Sequence, residues 1–280
     1  MRDRENALTD DYGNVVIRAY HSCLPSGTRA FREHHHTECE LSVFLRGRGR
    51  YMVKDRSYTF EEGAVFLFGS NEAHCITDID EDFDLLNIQF EPRLLWGHSA
   101  TSELLCLFAS RSRNFTNRIA VGDEALIGLI LALEQELATK QICCAVQARY
   151  LLFSTLTHII RAYDYVNSEK TLTTPSSVTG NVKRAIRYID EHLETRLTLQ
   201  EISRVACLTP TYFSSVFKKL NGISPWEYIT IKRVERAVEL LKSTDLTKLE
   251  IAERCGFSGS SNFYKAFAHV TGKKPGDYQN

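Results

Sequence analysis

Two different periods of apolar residues divide the chain into a part that predicts strands and a part that predicts helices. Between about residues 12 and 92, short apolar runs alternate with turn residues, as in Ala64–Phe68 between Gly63 and Gly69. Several short strands at this spacing are typical of an all-β barrel or sandwich. From about residue 126 onward, apolar side chains instead recur at three- and four-residue steps. That period predicts amphipathic helices.

Two helices are predicted between the strands and the last hundred residues. Their apolar positions are Leu126, Leu129, Ile130, Leu133 and Leu137, and then Leu152, Leu156, Ile159, Ile160 and Tyr163. The first stripe would pack on the barrel. The second would form either a dimer interface or a purely intramolecular helix pair.

A change of composition predicts the domain boundaries. Residues 168–180 are rich in Ser, Thr, Pro and Gly, which indicates a linker. The expected division is a β-barrel over 1–95, a helical hairpin over 96–167, this linker, and an all-α domain over 181–280. The fold class is therefore multidomain α+β.

The all-α domain contains one passage twice. Leu197–Ile202 returns as Leu246–Ile251 at an offset of 49, and Phe213 and Phe217 return as Phe263 and Phe267 at an offset of 50. The extra residue falls between a turn and the helix that follows it. A repeat of this period is one supersecondary unit used twice.

Each copy has the layout of a helix-turn-helix reader of the DNA major groove. Thr198 with Glu201 and Thr247 with Glu250 form capping boxes that start the first helix of each copy. Pro210 starts the second helix of the first copy, since proline is favoured at the first helical position. A long helix from Pro225 to about Lys242 would separate the two readers by about 34 Å, one turn of B-DNA.

Charge and composition agree with a DNA-binding function and indicate which part of the chain would bind DNA. Residues 181–280 carry 16 Lys and Arg against 11 Asp and Glu, a net charge of +5 in a chain whose total is −1. This excess is modest but favours a polyanionic partner. The eight cysteines include no Cys-x-x-Cys pair, which favours reduced thiols. Neither a secretory signal nor a membrane span is evident, so a cytoplasmic protein without membrane contact is expected.

The repeated domain resembles the AraC/XylS family of transcriptional regulators. The resemblance is carried by Arg233, Ala237, Leu240-Leu241, Thr244-Asp245, Ile251-Ala252, Cys255-Gly256-Phe257, Phe263, Phe267, Gly272 and Pro275. It implies double-stranded DNA as partner, dimerisation through the helices before the linker, and RNA polymerase as a partner if the protein is an activator. Members often end Pro-x-x-Tyr-Arg, whereas this chain has Gln279 after Tyr278.

The exposed faces of the two recognition helices are the predicted DNA-binding surface. In the family, base-contacting positions correspond here to Thr211, Ser214 and Ser215, and to Ser260, Ser261 and Lys265. The complete predicted set is Thr211, Tyr212, Ser214, Ser215, Lys218, Ser260, Ser261, Asn262, Tyr264 and Lys265. The first helix offers no Arg, the commonest specific reader of guanine. DNA shape or the second reader is therefore expected to supply part of the specificity.

A second group of candidate residues lies in the strand region. His34, His36 and Glu40 share one parity if they lie on a strand, and His74 follows further on. These residues resemble the two motifs of the cupin β-barrel. The first motif matches from Gly27 to Gly47. The second departs, with Gly69 in place of Pro and Asn71 in place of Gly.

Three interpretations of this group remain open. The resemblance implies that His34, His36, Glu40 and His74 would bind a transition metal (Zn, Ni, Fe or Mn). Alternatively, they hydrogen-bond a small effector without metal, or they are only packed at the barrel mouth. The predicted effector-binding residues are Arg29, Phe31, His34, His36, Glu40, Phe44, His74 and Gln89.

The expected function is a DNA-binding transcriptional regulator controlled by a small molecule in the barrel, often a sugar in related proteins. One alternative is a metal- or redox-sensing regulator, and another is a metal-dependent cupin enzyme fused to a DNA-binding module. The chain shows no nucleophile–base–orienter set and no phosphate-binding glycine loop. A regulator that is not an enzyme and requires no cofactor is therefore predicted.

Overall fold

The protein, described here by a computed structural model, consists of two compact units. The structure describes residues 6–28, 32–95, 101–109, 111–166 and 178–278. The first unit comprises Met1–Thr9, Val15–Thr173 and Lys219–Gly222, and the second comprises Asp10–Asn14, Thr174–Lys218 and Ile223–Asn280. The predicted α+β class is confirmed, because the strands belong to the first unit and the second is helical. Within the described ranges, no helix is both long and apolar enough to span a membrane.

Two antiparallel sheets build the first unit. In chain order its described strands are β1 (Asn6–Thr9), β2 (Val15–Leu24), β3 (Cys39–Arg46), β4 (Gly49–Val53), β5 (Arg56–Phe60), β6 (Ala64–Phe68), β7 (His74–Ile79), β8 (Phe83–Phe90) and β9 (Arg118–Val121). The larger sheet has the order β1-β2-β8-β3-β6-β9, and the smaller sheet has the order β5-β4-β7.

The larger sheet separates two cores because successive side chains point to opposite faces. On one face, Leu41 and Ile88 belong to the core that also contains the helices of this unit. The other face packs on the smaller sheet through an aromatic plug, which we define as Phe44, Tyr51, Phe60, Phe66 and Phe83. Phe44 stacks on Phe60 with ring centroids 3.8 Å apart. The plug fills part of the space between the two sheets.

The predicted helical hairpin is present as α2 (Glu124–Thr139) and α3 (Cys144–Ala162), after the short helix α1 (Cys106–Ala109). Asp123 starts α2, since its side chain accepts a hydrogen bond from the Leu126 amide. Both apolar stripes contribute to the core of the first unit, and Leu152, Leu156 and Ile159 are fully buried there. The predicted dimer interface around these three residues is therefore wrong, because the protomer itself covers them.

One strand lies where only helices were predicted. Arg118–Val121, within the range 96–167, pairs with β6 at the edge of the larger sheet. Its four residues are too few to show a period of two in the sequence. The larger sheet of the first unit therefore includes one strand from beyond residue 95.

The second unit contains six described α-helices, except that the last three residues of the helix Pro210–Asn221 belong to the first unit. They are α4 (Val178–Glu191), α5 (Leu199–Val205), α6 (Pro210–Asn221), α7 (Pro225–Ser243), α8 (Lys248–Arg254) and α9 (Ser260–Thr271). The capping boxes predicted at the starts of α5 and α8 are confirmed, and α7 has a third that the sequence analysis missed, Ser224 with Glu227. Helix α4 begins inside the predicted linker 168–180, whose residues up to 177 lie outside the described part of the chain.

Candidate functional site

A row of polar side chains crosses the inner face of the larger sheet beside the aromatic plug. Direct pairs in the register include Glu40 with Gln89 and Tyr20 with Asn87. Paired residues share a face, so the polar positions of β2, β8 and β3 point into the space between the sheets. We call this set the polar row: Arg18, Tyr20, Ser22, Glu40, Ser42, Asn87 and Gln89.

Glu40 and Gln89 are the centre of the polar row. The Gln89 Nε2 group donates to Glu40 Oε2 at 2.6 Å and to the Tyr20 hydroxyl at 2.9 Å. Ser42 donates to the other Glu40 oxygen at 2.7 Å. Gln89 in turn accepts from Arg18 Nε at 2.7 Å. Such a connected network holds its donors and acceptors in fixed positions, which pre-organises the surface for a polar ligand.

Three histidines adjoin the polar row. His34, His36 and His74 each offer a ring nitrogen, and these atoms lie within 4.8 Å of one another. The His34 and His74 ring centroids are 4.5 Å apart, and those of His36 and His74 are 5.4 Å apart. His34 is exposed and His74 is buried, so the cluster runs from the surface inward.

Backbone carbonyls orient the three rings. The Nδ1 atoms of His34, His36 and His74 lie 3.3, 3.1 and 2.7 Å from the carbonyl oxygens of Arg32, Glu38 and Glu72. An Nδ1–H that donates to a carbonyl leaves Nε2 as the atom that can accept a bond or bind a metal.

The charges of the cluster differ from ring to ring. Burial alone would lower the pKa of His36, but the hydrogen bond to Glu40 and the charges of Glu40 and Glu38 together outweigh burial and raise the pKa. Burial likewise favours neutral Glu40, but His36 and the neighbouring groups outweigh it and lower the pKa of Glu40 to about 2. Burial lowers the pKa of His74, and its buried Nε2 has no hydrogen-bond partner within the described residues. A neutral ring with an unpaired acceptor therefore faces the cluster.

The cluster fits a transition metal through its imidazoles. Neutral imidazole suits Zn, Ni and Fe, and ligating histidines commonly donate their second N–H to a carbonyl, as all three do here. Glu40, the fourth predicted ligand, is outside the group of mutually close ligand atoms, and its Oε1 lies 3.9 Å from His74 Nε2. Bound there, a metal would supply a Lewis-acidic point for an effector.

The structure brings together most of the predicted effector residues, but not in the way that strand parity suggested. His34, His36, Glu40, His74 and Gln89 do meet, yet β3 begins only at Cys39, so His34 and His36 precede the strand. Phe44 shares their face but lies fully buried in the aromatic plug. Arg29 and Phe31 lie outside the described residues.

Several residues of the polar row were missed by the sequence analysis. Tyr20, Ser42 and Asn87 follow the alternation of their own strands, but only the pairing of β2, β8 and β3 places them on one face with Glu40 and Gln89. The departure of the second cupin motif has a simple explanation. Asn71 adopts a φ of +57°, and asparagine tolerates this left-handed conformation better than most residues other than glycine.

The second candidate site consists of the two recognition helices, α6 and α9. Phe213 and Phe217 of α6 are buried, as are Phe263 and Phe267 of α9, so the opposite helix faces are free. Of the predicted DNA-binding residues, only Ser214 is half-buried, and the following are exposed: Thr211, Tyr212, Ser215, Lys218, Ser260, Ser261, Asn262, Tyr264 and Lys265. Both helices therefore present a polar face with one or more cations.

The turns before the two recognition helices differ by the residue that the repeat offset predicts. Four residues, Ala206–Thr209, precede α6, and five, Cys255–Gly259, precede α9. Cys207 and Gly256 occupy equivalent positions with φ of +54° and +78°. At Gly256 a Cβ would meet the Leu193 carbonyl and the Arg233 guanidinium, and Arg233 Nε itself donates to that carbonyl at 2.9 Å. Glycine is therefore required in the second turn.

Two family models match the two candidate sites in order along the chain. An AraC-like ligand binding domain matches residues 14–140, and a helix-turn-helix domain matches residues 202–280. The chain belongs to the AraC family of transcriptional regulators. This AraC-family protein is a DNA-binding regulator with a ligand-binding domain, and it is not an enzyme.

Two relatives match this AraC-family regulator over most of their own length. The probable transcriptional regulator LumQ of Photobacterium leiognathi is 23% identical over 257 residues, covering 88% of this chain and 91% of LumQ. The transcriptional activator RhaR of Escherichia coli is 25% identical over 251 residues, covering 89% and 87%.

Solved structures resemble the regulator in part or throughout. The C-terminal domain of AraT from Geobacillus stearothermophilus is 37% identical, with a TM-score of 0.35, over 37% of this chain and 87% of that domain. Fatty acid-bound ToxT from Vibrio cholerae is 13% identical, with a TM-score of 0.44, over 97% and 96%.

Proposed function

We propose that the effector of this regulator is a small, hydroxyl-rich molecule such as a sugar, bound between the polar row and the three histidines. The observation that carries the proposal is the buried Glu40–Gln89 pair at the centre of a fixed set of donors and acceptors. A site built from such groups favours a ligand whose hydroxyls can both donate and accept. The aromatic plug argues against a long apolar effector, because its buried rings already pack against one another between the two sheets.

A thermal-shift panel on the full chain tests this effector class. Sugars and polyols, fatty acids, and divalent metal ions are compared at equal concentration. An effector at 100 times its Kd stabilises by about 2.7 kcal/mol, which raises Tm by roughly 5–11 °C in a domain of this size, at about 2–4 °C per kcal/mol. We expect the rise with a sugar or polyol and its loss in Gln89→Met.

The matched control is Gln147→Met, which makes the same change at an exposed position of α3. Its Tm rise should equal that of the wild type. A panel in which only fatty acids raise Tm contradicts the proposal, as does a shift that persists in Gln89→Met.

A metal effector is the second candidate, and the unpaired Nε2 of buried His74 favours it. His34, His36 and His74 would hold Zn, Ni, Fe or Mn, with Glu40 beside them. Elemental analysis of purified full chain tests this: one equivalent of metal in the wild type and none in His74→Asn supports a metal. If chelation then changes operator affinity, the ion itself is the effector. Metal-free protein that fails to bind any added ion contradicts this candidate.

The DNA contacts proposed here are the exposed residues of α6 and α9. Thr211, Ser215, Ser261 and Lys265 would meet base edges or phosphates in two successive major-groove segments. Support comes from their exposure on two similar helices, each backed by a buried phenylalanine pair. Hydroxyl side chains bond to any of several base edges, so we expect α6 to contribute affinity more than discrimination.

A homodimer is proposed through the outer face of α3. With Leu152 and Leu156 buried, the free apolar surface of this helix comprises Val146 and Tyr150, which are 68% and 62% exposed. Tyr150 lines a groove of about 620 Å³ together with Leu129 and Phe153. Sedimentation of the full chain tests the face: Tyr150→Asp should yield monomers, and dimers that survive it contradict the assignment. RNA polymerase is a further partner if the regulator activates.

A further inference from the structure

The turn just before His74 is held in place by a buried ion pair between Glu72 and Arg111. Glu72 is only 7% exposed. Its carboxylate accepts hydrogen bonds from Arg111 Nη1 and Nη2 at 2.9 and 3.0 Å, and from the Gly69 amide at 2.9 Å. Burial alone would raise the pKa of Glu72, but the charge and hydrogen bonds of Arg111, together with the Gly69 amide and Lys54, outweigh burial and lower the pKa to about 2. Lys54, whose side chain is largely exposed, adds a longer contact of 3.4 Å.

Glu72 also holds the His74 ring. Its carbonyl oxygen accepts the Nδ1–H of His74 at 2.7 Å. That bond directs the unpaired Nε2 towards the histidine cluster. Glu72 therefore connects His74 with Arg111: its main-chain carbonyl bonds to the ring, and its side-chain carboxylate bonds to the guanidinium.

Arg111 makes a second set of contacts with the end of the first unit. It forms an isolated β-bridge with Val166, and the next amide, that of Ser112, donates to the Tyr165 carbonyl at 2.9 Å. Its guanidinium lies 3.9 Å from the centre of the Phe115 ring, which meets Tyr165 edge-on at 5.7 Å. Residues 164–166, which we call the exit segment, are the last described before the chain continues towards α4.

We infer that Arg111 is a positioning residue that couples the orientation of His74 to the exit segment. The inference rests on the proposed function, since it assigns a regulatory connection to the same histidine site. It follows from contacts in both directions: the guanidinium binds the Glu72 carboxylate and lies over the Phe115 ring, while the Arg111 backbone bridges Val166.

The chemistry of the guanidinium suits this position. Its planar fork makes parallel bonds to one carboxylate while its face stacks on an aromatic ring, which lysine cannot reproduce. A ligand that fixes His74 also fixes the Glu72 carbonyl, and with it the carboxylate that Arg111 binds. By linkage, whatever stabilises the exit segment then stabilises the oriented ring to the same extent.

A pair of His74 variants tests the coupling without an effector. The Asn side-chain amide nitrogen lies near the place of histidine Nδ1, whereas the Gln amide nitrogen lies near that of Nε2. His74→Asn therefore keeps a donor for the Glu72 carbonyl, and His74→Gln loses it, while both remove the ring. The readout in the full chain is hydrogen exchange of the Ser112 amide, which bonds to the exit segment.

We expect Ser112 to exchange about fivefold faster in His74→Gln than in His74→Asn, which corresponds to about 1 kcal/mol of coupling. Adding Arg111→Gln to both variants should abolish the difference. Equal exchange in the two single variants overturns the inference, and so does a difference that survives Arg111→Gln. Failure here leaves the effector panel untouched, so the two proposals can fail separately.

A second readout covers the case in which a His74 variant does not fold. In Arg111→Lys, which keeps the charge, nitrogen NMR of the imidazoles should show His74 exchanging between tautomers instead of holding Nδ1–H. The matched control Arg113→Lys alters an exposed neighbour and should leave the His74 signals unchanged. Unchanged signals in both variants contradict the role of Arg111.

Discussion

Single residues with unusual backbone conformations distinguish the two copies of the repeat. Cys207 and Gly256 hold equivalent places with positive φ, but only the glycine adopts that conformation freely. The cysteine side chain is tolerated because it is exposed and open to solvent. Its only described side-chain contact is a weak one with Arg184 Nη2 at 3.7 Å. The first turn therefore carries a strain that the second avoids.

Replacing Cys207 with glycine should stabilise the second unit. Relief of the left-handed conformation is worth roughly 1 kcal/mol, somewhat reduced by the extra freedom that glycine gives the unfolded chain. Urea unfolding of the full chain measures the change. The reciprocal variant, Gly256→Cys, should destabilise by more than that, since its Cβ would overlap the Leu193 carbonyl. Loss of stability in Cys207→Gly would refute the explanation.

Residue types alone predicted part of the proposed effector site. The rest of that site depends on the register between strands. His36, Glu40 and His74 stand out by type and spacing, whereas Tyr20 and Asn87 matter only because β2 and β8 align them with Glu40. Register depends on pairing between distant strands, which one sequence does not display. For the same reason Phe44, on the correct parity, was placed in the ligand site although it belongs to the plug.

Among the elements, the helices were predicted better than the strands. Capping residues and a 3.6-residue period are local signals, so α5 and α8 could be placed from Thr198 and Thr247. Strand β9 carries no comparable signal in its four residues. Whether an apolar helix face is covered is also a tertiary property, which is why the stripe of α3 was assigned to a partner instead of to the protomer core.

Helix α2 is joined to strands β2 and β8 by one histidine. His21 lies 2.8 Å from Asp84 and 2.8 Å from Glu134. Burial alone would lower its pKa, but the hydrogen bonds to Asp84 and Glu134 outweigh burial and raise the pKa above 6.5. A raised pKa in the folded state means that the protonated ring stabilises the fold.

This stabilisation should be complete below about pH 6.5 and lost as the pH rises through the folded-state pKa. We therefore expect the wild type to lose stability relative to His21→Gln between pH 6 and pH 8.5. Unfolding free energies measured in urea across that range check the sign. An unchanged difference between the two proteins would show that His21 does not titrate with folding.

The recognition helix α9 should contribute to operator binding through its cation. Lys265→Ala removes one exposed charge and leaves the buried Phe263 and Phe267 in place. Operator affinity should fall, and the slope of log K against log salt should decrease by about one. Lys274→Ala removes an exposed charge outside α9 and serves as the control. Unchanged affinity at fixed salt would remove Lys265 from the interface.

At the scale of the whole molecule, the proposed effector site and the proposed operator-binding helices belong to different units of one chain. If the effector changes operator affinity by some factor, the operator must change effector affinity by the same factor. Titrating the full chain with the sugar or polyol found in the thermal panel, with and without operator, measures one factor. Titrating it with operator, with and without that molecule, measures the other. Unequal factors would mean that a further equilibrium, such as dimerisation, takes part.

The aromatic plug has a consequence for how such a regulator diversifies. Its buried rings and the core beneath the helices stabilise the first unit without the polar row or the three histidines. The side chains of the polar row and the three histidines can therefore change while the fold persists. A regulator of this design could acquire a new effector by a few substitutions among those side chains, with the recognition helices α6 and α9 unchanged.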